Sequence, residues 1–258
     1  MRQDPRRAAQ SSAGSSACGQ RGTRAAPHAR PADLAAALRP VFAGVEAFRR
    51  DARPSVRGQL LALAARDAEL ISGMEHEAGD APAARAWSDR AIREARETGD
   101  PLAEVFALVQ RAELVDAAEP GEIVEAAVTA RERSGVPAEV GTLSLRREAR
   151  AHALAGEGEL CHRCLEECPE EPGETRAELC AGCLVDLGRP GGAIEMLEGE
   201  PAPSAPAYLA AYMLARRAHA YAEAHERDQA ACLARQALAL ARRAGAARAL
   251  RELGRVLV

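Results

Sequence analysis

The stretch Leu154–Cys183, LAGEGELCHRCLEECPEEPGETRAELCAGC, admits two readings that lead to different folds. Read from its thiols, it is Cys161-x2-Cys164, fifteen residues, then Cys180-x2-Cys183, the spacing of a four-thiolate zinc module. Read from its small residues, it is a turn glycine, Gly156, followed at five and twelve residues by Cys161 and Cys168, both compact enough to sit where two helices touch. The second spacing recurs along the chain.

Gly79 is followed at the same intervals by Ala84 and Ala91, with Ser72 seven residues before it. Gly188 is followed by Ala193 and preceded by Ala181. His225 stands where the turn glycine would be, with Ala230 and Ala237 after it, Ala218 before it and Tyr221 where an aromatic is expected. Gly99 and Gly135 are 36 residues apart, close to the period of about 34 residues of tetratricopeptide helix pairs. Ser88 and Leu197 occupy positions where phenylalanine is typical, so the expected core is alanine and leucine; the segment near Pro120 fits the template least well.

The stretches between these marks are helical in pattern. Apolar residues fall at three- and four-residue intervals in RGQLLALAARDAELISGM (Arg57–Met74), DPLAEVFALVQRAEL (Asp100–Leu114) and DQAACLARQALALARRA (Asp228–Ala244). ETGDP and RSGVP read as stops, with glycine closing one helix and proline at the first position of the next. The expectation is an all-α fold, a tetratricopeptide-repeat-like right-handed superhelix of about five helix pairs over residues 32–258 with a C-terminal capping helix. Residues 1–31 carry six arginines and almost no large apolar side chain. They read as a disordered Arg/Ser-rich tail, unable to bury enough surface to offset its ordering entropy.

Composition narrows the function. All 34 basic residues are arginine, since the chain has no lysine and also no asparagine, as a GC-rich genome produces. A net charge of −4 argues against a protein coated in nucleic acid. No apolar run approaches the roughly 18 residues of a membrane span, and no export signal follows the first arginines, so a cytoplasmic, reducing location is expected. There the seven cysteines are free thiols or metal ligands rather than disulfides.

In the helical reading Cys161 and Cys168 replace small contact residues, Cys180 faces inward beside Ala181, and His162 points to solvent. The alternative is a zinc-binding or redox-sensing protein on the same scaffold. Cys161 and Cys164, like Cys180 and Cys183, are one helical turn apart. If PEEPGE is the turn of a hairpin, the four sulfurs could meet around zinc. No P-loop, GxGxxG, GxSxG or His-x3-His pattern is present, so no enzyme is expected, and outside the zinc alternative no cofactor. A repeat array instead offers a concave groove for a peptide or a partner protein. Counting from the turns, Arg146, Arg150, Tyr212 and His219 are expected as exposed groove-side residues, where guanidinium forks and a phenol suit a peptide backbone or carboxylate; the alternative is a solvated helix face.

Four segments, ISGMEHEAGDAPAARAWSDRAIREARETGDP, REARAHALAGE, CLVDLGRPGGAIEML and AYAEAHERDQAACLARQALALARRAGAARALREL, resemble the C-terminal tetratricopeptide-like region of actinobacterial XRE-type (lambda-repressor-like) helix-turn-helix transcriptional regulators. The similarity runs from about Arg57 to Leu253. The resemblance implies a regulatory interaction protein whose repeats sense a peptide, small signal or partner, and implies a homodimer. Such regulators carry their DNA-binding domain in front of the repeats. Residues 1–56 contain no recognition helix, so no DNA-contact residue is implied and specific DNA binding by this chain alone is not expected.

Overall fold

The computed structural model describes residues 29–114, 120–133, 135, 137–169, 175–196 and 206–256. Residues 1–28 of the expected tail (1–31), Leu197 and most of PEEPGE lie outside the described residues, and Pro31, expected in the tail, is the buried first residue of the first helix. The fold is all-helical, with twelve helices and no strand among the described residues: α1 (Pro31–Asp51), α2 (Pro54–Ala78), α3 (Ala81–Thr98), α4 (Pro101–Leu114), α5 (Pro120–Glu132), α6 (Ala138–Leu154), α7 (Gly158–Glu167), α8 (Thr175–Asp186), α9 (Pro190–Met196), α10 (Ala207–Glu223), α11 (Arg227–Ala244) and α12 (Ala247–Gly254).

The turn positions of the sequence template are the turns of the structure. Gly79, Gly156, Gly188 and His225 all have positive φ, and His225, at 63°, is the only non-glycine among the described residues that does. Each closes its helix with the same pair of hydrogen bonds. At the first turn Asp80 N–H donates to the Glu75 carbonyl (2.9 Å) and Gly79 N–H to the His76 carbonyl (3.0 Å), the double C-terminal cap that a left-handed residue permits. Glu157, Arg189 and Glu226 repeat the longer bond onto His152, Leu184 and Tyr221. RSGVP differs from expectation in one detail: Pro137 is the N-cap of α6 rather than its first helical residue.

These turns set the helix contacts. The residues five and twelve after each turn, Ala84 and Ala91, Cys161 and Cys168, Ala193, Ala230 and Ala237, are all buried, and so are Ser72, Ala149, Ala181 and Ala218 seven before. The Ser72 hydroxyl donates to the Ala84 carbonyl across the first crossing (2.7 Å). Small side chains here let the axes approach at the near end of the usual range of about 8–10 Å. The core is accordingly dominated by alanine, and leucine contributes less than expected: Leu38, Leu60, Leu143 and Leu214 are only partly buried. Phe42 and Trp87 supply the one aromatic contact found among the described residues, edge-on at 5.0 Å, where α1 covers α2 and α3.

Beyond the hairpins, the even-numbered helices touch in sequence: α2 with α4, α4 with α6, α6 with α8, α8 with α10, α10 with α12, and α12 with α2. That last contact closes the circuit. Gly79 lies so near α12 that a Cβ added there would come within 2.7 Å of the Ala247 Cβ, which adds a steric requirement for glycine to its φ of 90°. An open concave groove was the expectation; the contact of α12 with α2 instead joins the two ends of the even-numbered series.

Candidate functional site

Charged side chains meet between these helices. α4 presents Glu113, α6 presents Arg147 and Arg150, and α12 presents Arg248. Arg147 is ion-paired with Glu113, Arg248 Nη2 donates to its Oε1 at 3.2 Å, and Arg150 Nη1 stands 3.9 Å away. Arg248 also donates to Glu77 of α2 (2.9 Å) and lies over the Tyr212 ring of α10, 3.9 Å from its centroid. Arg150 donates to the Tyr212 hydroxyl (3.2 Å). Three guanidinium groups from two helices thus converge on one carboxylate, with Glu77 as a second anion at the edge.

The electrostatics record this excess. Burial alone would raise the Glu113 pKa, but Arg147, Arg248 and Arg150 hold it at about 2. Burial pushes His76, beside the cluster on α2, down to about 4, and Arg248, Arg251 and Arg150 push the same way. Burial also opposes ionisation of Tyr212, yet Arg150, Arg248 and Arg216 lower its pKa overall. Three buried polar atoms of this group, Arg147 Nε, His76 Nδ1 and Glu77 Oε2, have no hydrogen-bond partner.

A second node lies between α8, α10 and α12. Arg216 donates to Asp186 (2.9 Å), Glu252 (3.1 Å) and the Gly182 carbonyl (2.6 Å). His219 Nδ1 is hydrogen-bonded to the same Glu252 oxygen at 2.8 Å. Burial raises the Glu252 pKa, but its hydrogen bond to His219 and the charge of Arg216 outweigh it and set it at about 2.

All four expected groove residues lie on inner helices, α6 and α10, but their surroundings correct the expectation of exposure. Arg146 and Tyr212 are buried, each 9% exposed. Arg150 and His219 are partly covered and already engaged, with Tyr212 and Glu252 respectively. For Tyr212 and His219 the cause is α12, which lays Arg248 over the Tyr212 ring and meets His219 through Glu252.

The cysteines divide between two environments. Cys161, Cys164, Cys168 and Cys183 are buried, whereas Cys180, expected inward, is only half-buried; His162 is 72% exposed, as expected. Cys161 and Cys183 share a hydrogen bond across α7 and α8. Cys164 turns instead to α6, where Glu148 and His152 stand four residues apart. The ligand atoms of Glu148, His152 and Cys164 lie within 4.8 Å of one another, the only such group among the described residues. Cys161, Cys164, Cys180 and Cys183 therefore do not gather as a four-sulfur site. Residues three apart differ by about 60° around a helix, enough to aim Cys161 at α8 and Cys164 at α6.

The sequence holds a partial signal for what motif reading missed. Arg147 and Arg150 stand one turn apart in RREAR, and Glu148 and His152 are four apart in EARAH. Glu113 and Arg248 are 135 residues apart and meet only because the array closes. Comparison of the chain with protein-family models, with curated proteins and with solved structures finds no match.

Proposed function

We propose that this chain is a non-enzymatic interaction protein of the regulatory type, a tetratricopeptide-like superhelix that receives an acidic segment of a peptide or partner protein at its inner face. The observation that carries the reading is the convergence of Arg147, Arg150 and Arg248 on Glu113. In that arrangement cations outnumber anions, and two buried nitrogens, Arg147 Nε and His76 Nδ1, lack partners. A second carboxylate there would find forked donors already oriented by Tyr212 and Glu113. Glu113 acts as the resident competitor for the incoming acid, and α12 as the element that must shift to admit it. The resemblance to the repeat region of helix-turn-helix regulators supports the regulatory half of this reading, and with it a homodimer in a cytoplasmic setting.

The test is calorimetric titration of hexaglutamate, with hexaglutamine as the neutral control. Saturable binding of the acidic peptide alone, weakening with salt, is expected. Arg150→Gln removes one charge-assisted hydrogen bond, about 1.5–3 kcal/mol, and should weaken binding about tenfold or more. Glu113→Gln should tighten it. Equal heats from both peptides, or an Arg150→Gln variant that binds as the wild type does, would sink the proposal.

A further inference from the structure

We infer that Glu148, His152 and Cys164 form a zinc site joining α6 to α7, separate from the inner arginine cluster and from the paired thiols Cys161 and Cys183. Glu148 and His152, four residues apart, project from one face of α6, and Cys164 meets them from α7; all three are buried. Their ligand atoms lie within 4.8 Å of one another, against a separation of roughly 3.5 Å between ligands of a tetrahedral zinc with bonds of about 2.0–2.3 Å. A contraction of about an ångström, within the reach of side-chain torsions, brings them to bonding distance. Carboxylate, imidazole and thiolate together are a borderline donor set that suits zinc over magnesium or calcium, and the ion takes the place of the Cys164 thiol proton, which is released to solvent.

The histidine is oriented as a ligand. Its Nδ1 lies 2.7 Å from Glu157 Oε2; a carboxylate accepts, so Nδ1 carries a proton, and in the neutral ring that a metal requires Nε2 holds the lone pair. Nε2 is 3.9 Å from Glu148 Oε1, too far for a hydrogen bond. A carboxylate behind the non-ligating nitrogen is the usual support of a metal-bound histidine. The helix turn builds it: Gly156, at φ 77°, folds the chain back so that Glu157 N–H donates to the His152 carbonyl (2.8 Å) while its side chain reaches the ring. The backbone thus places Glu157 on His152 twice over.

Arg131 is the rival cation. Its Nε and Nη2 donate to Glu148 Oε2 at 3.2 and 3.1 Å. Its side chain is 37% exposed, so it can withdraw to solvent when a doubly charged ion takes the carboxylate. Three protein ligands leave a fourth position for water or an exogenous donor, an arrangement suited to exchangeable rather than permanently buried metal.

Cobalt(II) titration of the full chain tests this, because thiolate ligation gives a charge-transfer band and tetrahedral geometry gives visible d–d bands. One equivalent should produce both, and one equivalent of zinc should bleach them. Cys164→Ser and His152→Gln should abolish the thiolate band, while Cys180→Ser and Cys183→Ser should keep it. Glu157→Gln should weaken the ion by about 10- to 100-fold, and the surface change Arg131→Gln should tighten it, a gain that misfolding could not imitate. A wild-type chain without the band, a band that survives Cys164→Ser, or one that needs Cys180 and Cys183 overturns the assignment.

Discussion

Replacing Arg248 by methionine removes the side chain on which the closed circuit most depends. Arg248 bonds Glu77 at 2.9 Å with side-chain exposures of 11% and 9%, bonds Glu113 at 3.2 Å, and covers the Tyr212 ring. Stranding one partner of a buried ion pair costs about 3–5 kcal/mol. Glu113 keeps Arg147 and Arg150, so Glu77 bears most of the loss and the low end applies. Methionine retains much of the packing on Tyr212 but loses the cation–π attraction, roughly 1 kcal/mol. An expected loss of about 4 kcal/mol, with a urea slope of roughly 3 kcal/mol per molar, moves the unfolding midpoint down by about 1.3 M. Adding Glu77→Gln removes the stranded charge, so the double variant should recover part of the loss, a coupling of about 2 kcal/mol. A single-variant loss under about 0.5 kcal/mol, the range of ordinary surface substitutions, would refute the reasoning, as would a double variant whose losses simply add.

Read as urea midpoint against pH, acid should weaken the fold mainly below about pH 4.5, because the His76 and Glu69 contributions oppose each other between about pH 7 and 4. His76, held neutral with its pKa lowered from 6.5 to about 4, contributes stability that is complete above about pH 6.5 and lost as pH falls toward 4; His76→Gln should flatten that arm. Glu113 and Glu252, lowered from 4.5 to about 2, contribute stability that is lost between about pH 4.5 and 2. Burial raises Glu69 to about 7, so its contribution runs the opposite way, and Glu69→Gln should stabilise most above that pH. Gly79→Ala should cost more than Gly99→Ala: both positions have positive φ, but only at Gly79 would the new Cβ meet α12, at 2.7 Å from Ala247. Chemical denaturation should show about 1 kcal/mol for the Gly99 change and at least twice that for Gly79. His225→Gly should stabilise by about 1 kcal/mol by the same measurement, since it removes a side chain from a left-handed position. In native buffer a thiol reagent should label Cys232, which is exposed, well before Cys161, Cys164, Cys168 and Cys183, which are buried and should react on denaturation.

Much of the fold is legible because its signals are local. A positive-φ turn residue and small residues at fixed offsets concern chain segments of about twenty residues, and even His225 reveals its role through the alanines around it. The cysteine pattern is misleading for a related reason. Spacing records that Cys161 and Cys164 share a helical turn, but the 60° between them is resolved only by which neighbour each faces. The arginine cluster is the least legible part. Arg150 and Tyr212, 62 residues apart, can be placed on inner helices by counting, yet whether they meet solvent or each other depends on the curvature of the whole array.

The central claim is that the array closes on its own arginine cluster, and native-state hydrogen exchange of the wild-type chain tests it most directly. α12 is eight residues long and is the last helix among the described residues; a helix of that length packed on one side only frays and exchanges near the unprotected rate. The account predicts that α12 amides are protected about as strongly as those of α10, and that hexaglutamate alters protection in α12 and in the C-terminal turns of α2 together. An α12 that exchanges freely while α10 remains protected would contradict it.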